Sequence, residues 1–212
     1  MRPEQLVAVA GTGTEVGKTW VTAGVASALR SRGLVVRARK PAQSFAPEDP
    51  VDGRDAAVLA AATGESTDDV CPPHRSYEVA LAPPMASDVL GRGRVGLTAL
   101  LDELTWPADE TDVGFVETAG GLRSPIAHDA DNAHLIRRID PDIVVLVAPA
   151  GLGVINLVRL SVGALHPALD VIVVLNRYVA DDDTHRRSAE WLVDNDGLEV
   201  VTSVDALATR LA

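Results

Sequence analysis

The sequence has little cysteine, few aromatic residues and fewer basic than acidic residues. A single cysteine, Cys71, cannot form a disulfide or a cysteine-based zinc site within one chain, and it favours a reducing cytoplasm. Aromatic residues make up only 3%, so the core must be built from Ala, Val, Leu and Ile. The formal charge of −11 argues against nucleic acid as the main partner, because a phosphate backbone requires a basic surface.

Long apolar runs are also missing. No run approaches the roughly 20 residues that a membrane-spanning helix needs, so we expect no membrane partner. The apolar stretch at residues 6–10 is too short to be a signal-peptide core. The content of 47% hydrophobic and 23% charged residues is ordinary for a globular protein. We expect one cytoplasmic domain that spans residues 1–212.

Short apolar runs alternate with helical stretches along the chain. The predicted strands are residues 6–10, 34–39, 113–117, 143–148, 171–175 and, at an edge, 198–201. The predicted helices are residues 18–32, 55–62, 98–104, 130–139, 154–165 and 184–193. Runs of Val, Ile and Leu favour strands that are buried on both faces. The pattern therefore predicts an α/β fold with a mostly parallel sheet and helices on both faces. Residues 41–54 and 71–96 are predicted to be long loops.

The strongest motif is Gly-Thr-Gly-Thr-Glu-Val-Gly-Lys-Thr at residues 11–19, here called the phosphate loop. It follows a predicted strand and opens a predicted helix, where backbone N–H groups can point at phosphate oxygens. Lys18 is predicted to reach the β- and γ-phosphates of ATP, and the Thr19 hydroxyl to ligate Mg²⁺. The usual pattern has glycine five residues before Gly17, where this chain has Thr12. The residues predicted to bind ATP are Gly13, Thr14, Glu15, Val16, Gly17, Lys18 and Thr19.

Polar and glycine-rich segments follow the other predicted strands, at the edge where ligands collect in open α/β sheets. Lys40 begins the segment Lys-Pro-Ala-Gln-Ser, and Glu117 is followed by Thr-Ala-Gly-Gly. A carboxylate beside small residues can ligate Mg²⁺ while a phosphate approaches closely. Asp55 precedes a predicted helix, where it could be a simple N-cap. The turn Gly-Leu-Gly at residues 151–153 leads into a helix N-terminus that suits an anion.

Taken together, these segments resemble the dethiobiotin synthetase family of ATP-dependent ligases. The resemblance rests on the phosphate loop, on Lys-Pro-x-x-Ser at residues 40–44, on Val-Glu-x-Ala-Gly-Gly at residues 116–121, and on Gly-x-x-Asn at residues 153–156. It runs from residue 6 to about residue 178. The family pattern implies a P-loop NTPase-like domain. It also implies carboxylation and ring closure of 7,8-diaminononanoate with CO₂ or bicarbonate, giving dethiobiotin, ADP and phosphate in biotin biosynthesis.

The resemblance also assigns roles to individual residues. It makes Lys18, Lys40 and Thr14 catalytic, and Lys40 is expected to bind the transferring phosphate and the carbamate. Thr19, Asp55 and Glu117 are expected to hold Mg²⁺, and Asn176 to hydrogen-bond the adenine edge. The residues implied to bind the diamine substrate are Thr14, Lys40, Ser44, Gly153, Val154, Ile155 and Asn156. The last four are expected to bind the substrate carboxylate across the interface of a homodimer that shares its substrate sites.

Three other interpretations stay open at this point. Switch ATPases related to chromosome- and septum-positioning proteins usually carry a second lysine early in the phosphate loop, where this chain has Gly-Thr-Gly. Amide ligases of the cobyrinic acid type usually carry a glutaminase domain, which these residues do not resemble. A degenerate paralogue would bind nucleotide without the diamine. The chain departs from the family pattern at Phe45, Thr118 and Leu157, where Gly, Gly and His are common.

Overall fold

The computed structural model describes all residues from Met1 to Ala212. The strands are β1 (Gln5–Gly11), β2 (Val36–Arg39), β3 (Gln43–Ser44), β4 (Ser76–Tyr77), β5 (Val113–Glu117), β6 (Pro125–Ala127), β7 (Ala130–Asp131), β8 (Ile143–Pro149), β9 (Val171–Asn176) and β10 (Glu199–Val201). The helices are α1 (Lys18–Ser31), α2 (Asp55–Thr63), α3 (Thr67–Val70), α4 (Pro83–Val89), α5 (Leu97–Asp102), α6 (Asn132–Ile139), α7 (Val154–Val162), α8 (Asp183–Asp194) and α9 (Val204–Leu211). Short 3₁₀ turns cover Val51–Gly53 and Pro73–Arg75.

A six-stranded, fully parallel sheet forms the centre of the fold, in the order β10-β9-β8-β1-β5-β2. Successive residues of β1 point to opposite faces. Val7 and Val9 pack into one core, and Ala8 and Ala10 pack into another. All four residues are buried, which is why the strand has no alternating polar pattern. The predicted α/β class with a parallel sheet is confirmed.

Helices cover both faces of this sheet. The face of Val7 packs against α1, α2 and α9, and the face of Ala8 packs against α6, α7 and α8. A smaller third core around Tyr77 and Ile126 packs α4 and α5 together beside the carboxyl ends of the strands. No helix of the chain is both long and apolar enough to cross a membrane.

Some predicted boundaries were wrong, and the reasons are local. The second strand begins at Val36 rather than at residue 34, because the Leu34 N–H donates to Leu29 O at the end of α1. The predicted long loops contain β3, β4 and α4, and α4 opens with Pro83 and Pro84 in its first turn. Helix α9 was not predicted at all. Ser203 caps it by accepting a hydrogen bond from Ala206 N.

Candidate functional site

The phosphate loop connects β1 to α1 at the carboxyl edge of the sheet. Gly17 caps α1 in a left-handed conformation with a φ of 95°, and no side chain caps the helix, so its first N–H groups face the loop. Glu15 is also left-handed, with a φ of 58°. The Lys18 ammonium lies 3.3 Å from Gly13 O across the loop. The turn has the shape and exposed donors that an anion site needs.

Asn176, at the end of β9, holds the phosphate loop from the side. Its Nδ2 donates to Val16 O at 2.9 Å, and its Oδ1 accepts from Arg177 N at 2.9 Å. A Cβ added to Gly17 would lie 2.0 Å from that Nδ2, so only glycine fits here. Asn176 also lines a cavity of about 540 Å³ together with Trp20 and residues 202–204. The contact between Asn176 and adenine stays a prediction. The hydrogen bond of Asn176 to Val16 O shows that this residue also stabilises the phosphate loop.

Four side chains meet beside the phosphate loop, and we refer to Thr19, Lys40, Asp55 and Glu117 as the strand-end cluster. The Thr19 hydroxyl lies 2.8 Å from Asp55 Oδ1 and 2.7 Å from Glu117 Oε1. Lys40 Nζ lies 2.7 Å from Asp55 Oδ2 and 2.8 Å from Glu117 Oε1. The sheet order explains the meeting, because β5 lies between β1 and β2. Glu117 therefore stands between the phosphate loop and Lys40.

Burial and charge perturb the ionisation of this cluster. Burial alone would lower the pKa of Lys40, but the adjacent Asp55 and Glu117 carboxylates outweigh it and hold the pKa above its ordinary value. Burial would raise the pKa of Asp55, but Lys40 and the Thr19 hydroxyl lower it below its usual range. Burial and then the charge of Lys40 lower the pKa of Lys18 to about 8. The lowered pKa of Asp55 and the raised pKa of Lys40 thus keep this pair charged side by side.

The donor set suits a hard divalent cation. Two carboxylates and a hydroxyl offer oxygen ligands only, which Mg²⁺ prefers. No group of three or more His, Cys, Asp and Glu side chains is placed so that it could hold a metal ion. A cation here would therefore complete its coordination with water and with phosphate oxygens, as Mg²⁺ usually does beside a nucleotide.

The interpretations of these residues as ordinary surface groups do not fit the structure. Lys40 is 1% exposed, so it is not a solvated strand end. Glu117 is fully buried rather than lying at the surface. Asp55 is the first residue of α2 but does not cap it, because its oxygens are directed to Thr19 and Lys40.

The glycines after β5 bring its loop close to the phosphate loop. A Cβ added to Gly121 would lie 3.2 Å from the Gly13 Cα, and one on Gly120 would lie 3.7 Å from the Thr14 hydroxyl. Thr14 itself is exposed at this junction. Ser44 lies on β3, and its hydroxyl oxygen is buried without a hydrogen-bond partner in the chain.

The predicted carboxylate site lies on the other side of β1. Gly153, with a φ of 91°, opens α7 in a left-handed conformation and no side chain caps that helix. Val154 is buried, Ile155 is half-buried and Asn156 is exposed. The preceding Leu152 is 98% exposed. Since β8 lies next to β1, this turn and the phosphate loop share one edge of the sheet.

Sequence reasoning missed three residues that support the site. Thr22 donates to Glu117 Oε2 at 2.6 Å. Gln43 accepts from Ala56 N at the start of α2 and donates to Ser76 Oγ. Asn132 donates to the carbonyls of the loop that follows Glu117. Thr22 had a usable signal, because it lies one helical turn beyond Lys18. The other two act through contacts between distant segments.

Comparison with known proteins gives relatives over most of the chain. A family model described as an AAA domain matches residues 5–209. An ATP-dependent dethiobiotin synthetase of Haloferax mediterranei is 38% identical over 198 residues, which cover 92% of this chain and 82% of that protein. The dethiobiotin synthetase of Anaeromyxobacter sp. is 36% identical, and the match covers 82% of this chain and 78% of that protein. The dethiobiotin synthetase of Aquifex aeolicus is 32% identical, and the match covers 90% of this chain and 84% of that protein.

Solved structures share the fold at low identity. The signal recognition particle receptor FtsY of Elizabethkingia anophelis has a TM-score of 0.56 at 15% identity, covering 100% of this chain and 65% of the receptor chain. A protein assigned to plasmid partition in Borrelia burgdorferi B31, solved with AMPPNP, has a TM-score of 0.54 at 15% identity, covering 97% and 90%. At this identity the likeness concerns the fold alone.

Proposed function

The chain belongs to the family of ATP-dependent dethiobiotin synthetases, and we propose that it carboxylates 7,8-diaminononanoate and closes its ureido ring. The observation that carries the proposal is the strand-end cluster. Asp55 and Glu117 come from separate segments, and each lies within hydrogen-bond distance of both Thr19 and Lys40. Such a cluster next to a phosphate loop suits phosphoryl transfer from ATP.

The proposed reaction needs no nucleophile from the protein. One amine of the substrate captures CO₂ and loses a proton, which gives a carbamate. A carbamate oxygen attacks the γ-phosphorus of ATP, the bond to the bridging oxygen breaks, and ADP leaves. The second amine then attacks the carbamate carbonyl, the ring closes, and phosphate and a proton leave. The protein contributes positioning and charge neutralisation.

Different residues around the phosphate loop are proposed to provide this positioning and charge neutralisation. Lys18 and the N–H groups of residues 13–19 are proposed to bind the triphosphate. Lys40 is proposed to contact the transferring phosphate and the carbamate, since its ammonium is buried and held charged by its neighbours. Thr19, Asp55 and Glu117 would hold Mg²⁺, which when bound neutralises phosphate charge. Thr14 is proposed to face the reacting groups from the exposed side of the loop.

The diamine is proposed to lie between two segments at the same edge of the sheet. Ser44 would contact its amine end, and its hydroxyl is free of other hydrogen bonds. The segment from Gly153 to Asn156 would bind its carboxylate at the uncapped start of α7. Phe45, where the family commonly has glycine, lies 3.8 Å from the Arg54 guanidinium, which stacks on its ring.

The chain is further proposed to act as a homodimer through the surface around α7. Leu152 and Leu160 are 98% and 66% exposed there, and Leu157 is 38% exposed. Such an exposed apolar surface is typical of an interface. Sedimentation of the purified protein should give the mass of two chains. A single-chain mass at working concentration would contradict the shared substrate site.

The direct test is ADP release that depends on the diamine. The protein is mixed with Mg-ATP, bicarbonate and 7,8-diaminononanoate, and ADP and dethiobiotin are measured together, with Lys18→Ala as the control. We expect both products in equal amounts from the unaltered protein and neither from the variant. ADP release that ignores the diamine would instead indicate a switch ATPase. Nucleotide binding without turnover would indicate a degenerate paralogue.

A further inference from the structure

The Glu117 carboxylate is fully buried, and each of its oxygens has its own set of donors. Oε1 accepts from the Thr19 hydroxyl and from Lys40 Nζ, on the side where the strand-end cluster meets the phosphate loop. Oε2 faces the other way, and its partner is the Thr22 hydroxyl at 2.6 Å. The two oxygens thus have different partners: Oε1 contacts Thr19 and Lys40, and Oε2 contacts Thr22.

Thr22 is 1% exposed and lies three residues beyond Thr19, so both hydroxyls are on the same side of α1. Its oxygen also lies 3.0 Å from Lys18 O, the usual position for a helical threonine. A hydroxyl has only one hydrogen. The shorter contact with a charged acceptor is the stronger one, so we assign the hydrogen to Glu117.

We propose that Thr22 is a positioning residue that fixes the Glu117 carboxylate, so that Oε1 is presented to Thr19 and to a bound divalent cation. This inference rests on the proposed function, in which Glu117 is a cation ligand. A buried carboxylate oxygen without a donor is costly. Without the Thr22 hydroxyl, the Glu117 carboxylate would turn to share the remaining donors, and Oε1 would leave its place.

The chain provides a matched control for this test. Thr63, the last residue of α2, is also a buried helical threonine, 3% exposed, and its hydroxyl donates to Leu59 O at 3.0 Å. Its hydroxyl has hydrogen bonds only to backbone carbonyls. Thr63→Val therefore repeats the chemical change of Thr22→Val without touching Glu117.

The experiment measures Mn²⁺ binding by electron paramagnetic resonance, with the nucleotide supplied as a non-hydrolysable ATP analogue and with no diamine. We expect Thr22→Val to weaken Mn²⁺ binding by about tenfold, the size of one lost buried hydrogen bond to a charged group. Thr22→Ser keeps the hydroxyl and should stay within about twofold of the unaltered protein, as should Thr63→Val. Thr22→Ala removes the same hydroxyl and leaves a smaller side chain. This variant is measured in place of Thr22→Val if Thr22→Val does not fold.

Two results would overturn the inference while leaving the proposed cation site in place. One is Mn²⁺ binding by Thr22→Val and Thr22→Ala at the strength of the unaltered protein. The other is an equal loss in Thr63→Val, which would show a general effect of removing a buried hydroxyl. Failure of the unaltered protein itself to bind Mn²⁺ with nucleotide would remove both the cation site and the role of Thr22.

Discussion

Replacing Gly17 by alanine tests how tightly the phosphate loop is built. Gly17 has a φ of 95°, and Gly33, just beyond the other end of the same helix, has a φ of 91°. A Cβ in this backbone conformation costs roughly 1–2 kcal/mol, partly offset by the smaller entropy of the unfolded chain. The two glycines differ in their surroundings. A Cβ on Gly33 meets nothing within 4 Å, whereas a Cβ on Gly17 would lie 2.0 Å from Asn176 Nδ2.

The expected losses follow from that difference. Gly33→Ala should cost about 1 kcal/mol and lower the melting temperature by about 2–4 °C in a domain of this size. Gly17→Ala must in addition push the Asn176 amide away from Val16 O, which adds about 2 kcal/mol for the lost hydrogen bond and the displacement. Its melting temperature should fall by about 6–12 °C.

Calorimetry measures both effects on the same samples. Thermal scans give the melting temperatures, and titration with Mg-ATP gives the affinities. We expect Gly33→Ala to bind ATP as the unaltered protein does, and Gly17→Ala to bind at least about tenfold more weakly, since about 1.4 kcal/mol is a factor of ten. Equal melting temperatures and equal affinities for the two variants would refute the close packing of Asn176 against Gly17.

Further predictions concern charged residues. Lys18→Ala should abolish turnover with an unchanged circular dichroism spectrum, and a fully active variant would contradict its role. Because the pKa of Lys18 is lowered to about 8, the amine loses its charge as the pH rises, so ATP affinity should fall up to about tenfold from pH 7 to pH 9. Lys18→Arg should show no such fall, and a flat profile in the unaltered protein would contradict this. Glu65 forms a buried ion pair with Arg39 at 2.7 Å and accepts from Ala38 N. Glu65→Ala should cost about 3–5 kcal/mol in urea unfolding, and a loss below about 1 kcal/mol would argue against it.

The sequence predicts the sheet well because its central strands are uniformly apolar. The neighbours Val144 and Val145 pack into the cores on opposite faces of the parallel sheet and both are buried, which gives runs without alternation. The small elements were harder. The pairing of Gln43–Ser44 with Ser76–Tyr77 joins segments more than thirty residues apart, and each strand has only two residues. No local pattern encodes such a contact.

Some residues of the candidate site could likewise be predicted from the sequence, and others could not. The residues of the strand-end cluster could be predicted, because carboxyl ends of parallel strands share one edge and because the motifs resemble a known family. Gln43 and Asn132 could not, since each acts through hydrogen bonds that depend on tertiary packing, whereas the position of Thr22 one helical turn beyond Lys18 was a signal that was not used. Asn176 was expected at the adenine, and the structure adds its bond to Val16 O.

Titration with Mg-ATP tests the central claim most directly, because phosphoryl transfer to the carbamate requires a triphosphate bound by residues 11–19. Calorimetry of the unaltered protein should give saturable binding of one nucleotide per chain at submillimolar concentration, and Lys18→Ala should lose most of that affinity. The absence of any binding heat up to millimolar Mg-ATP would contradict the account.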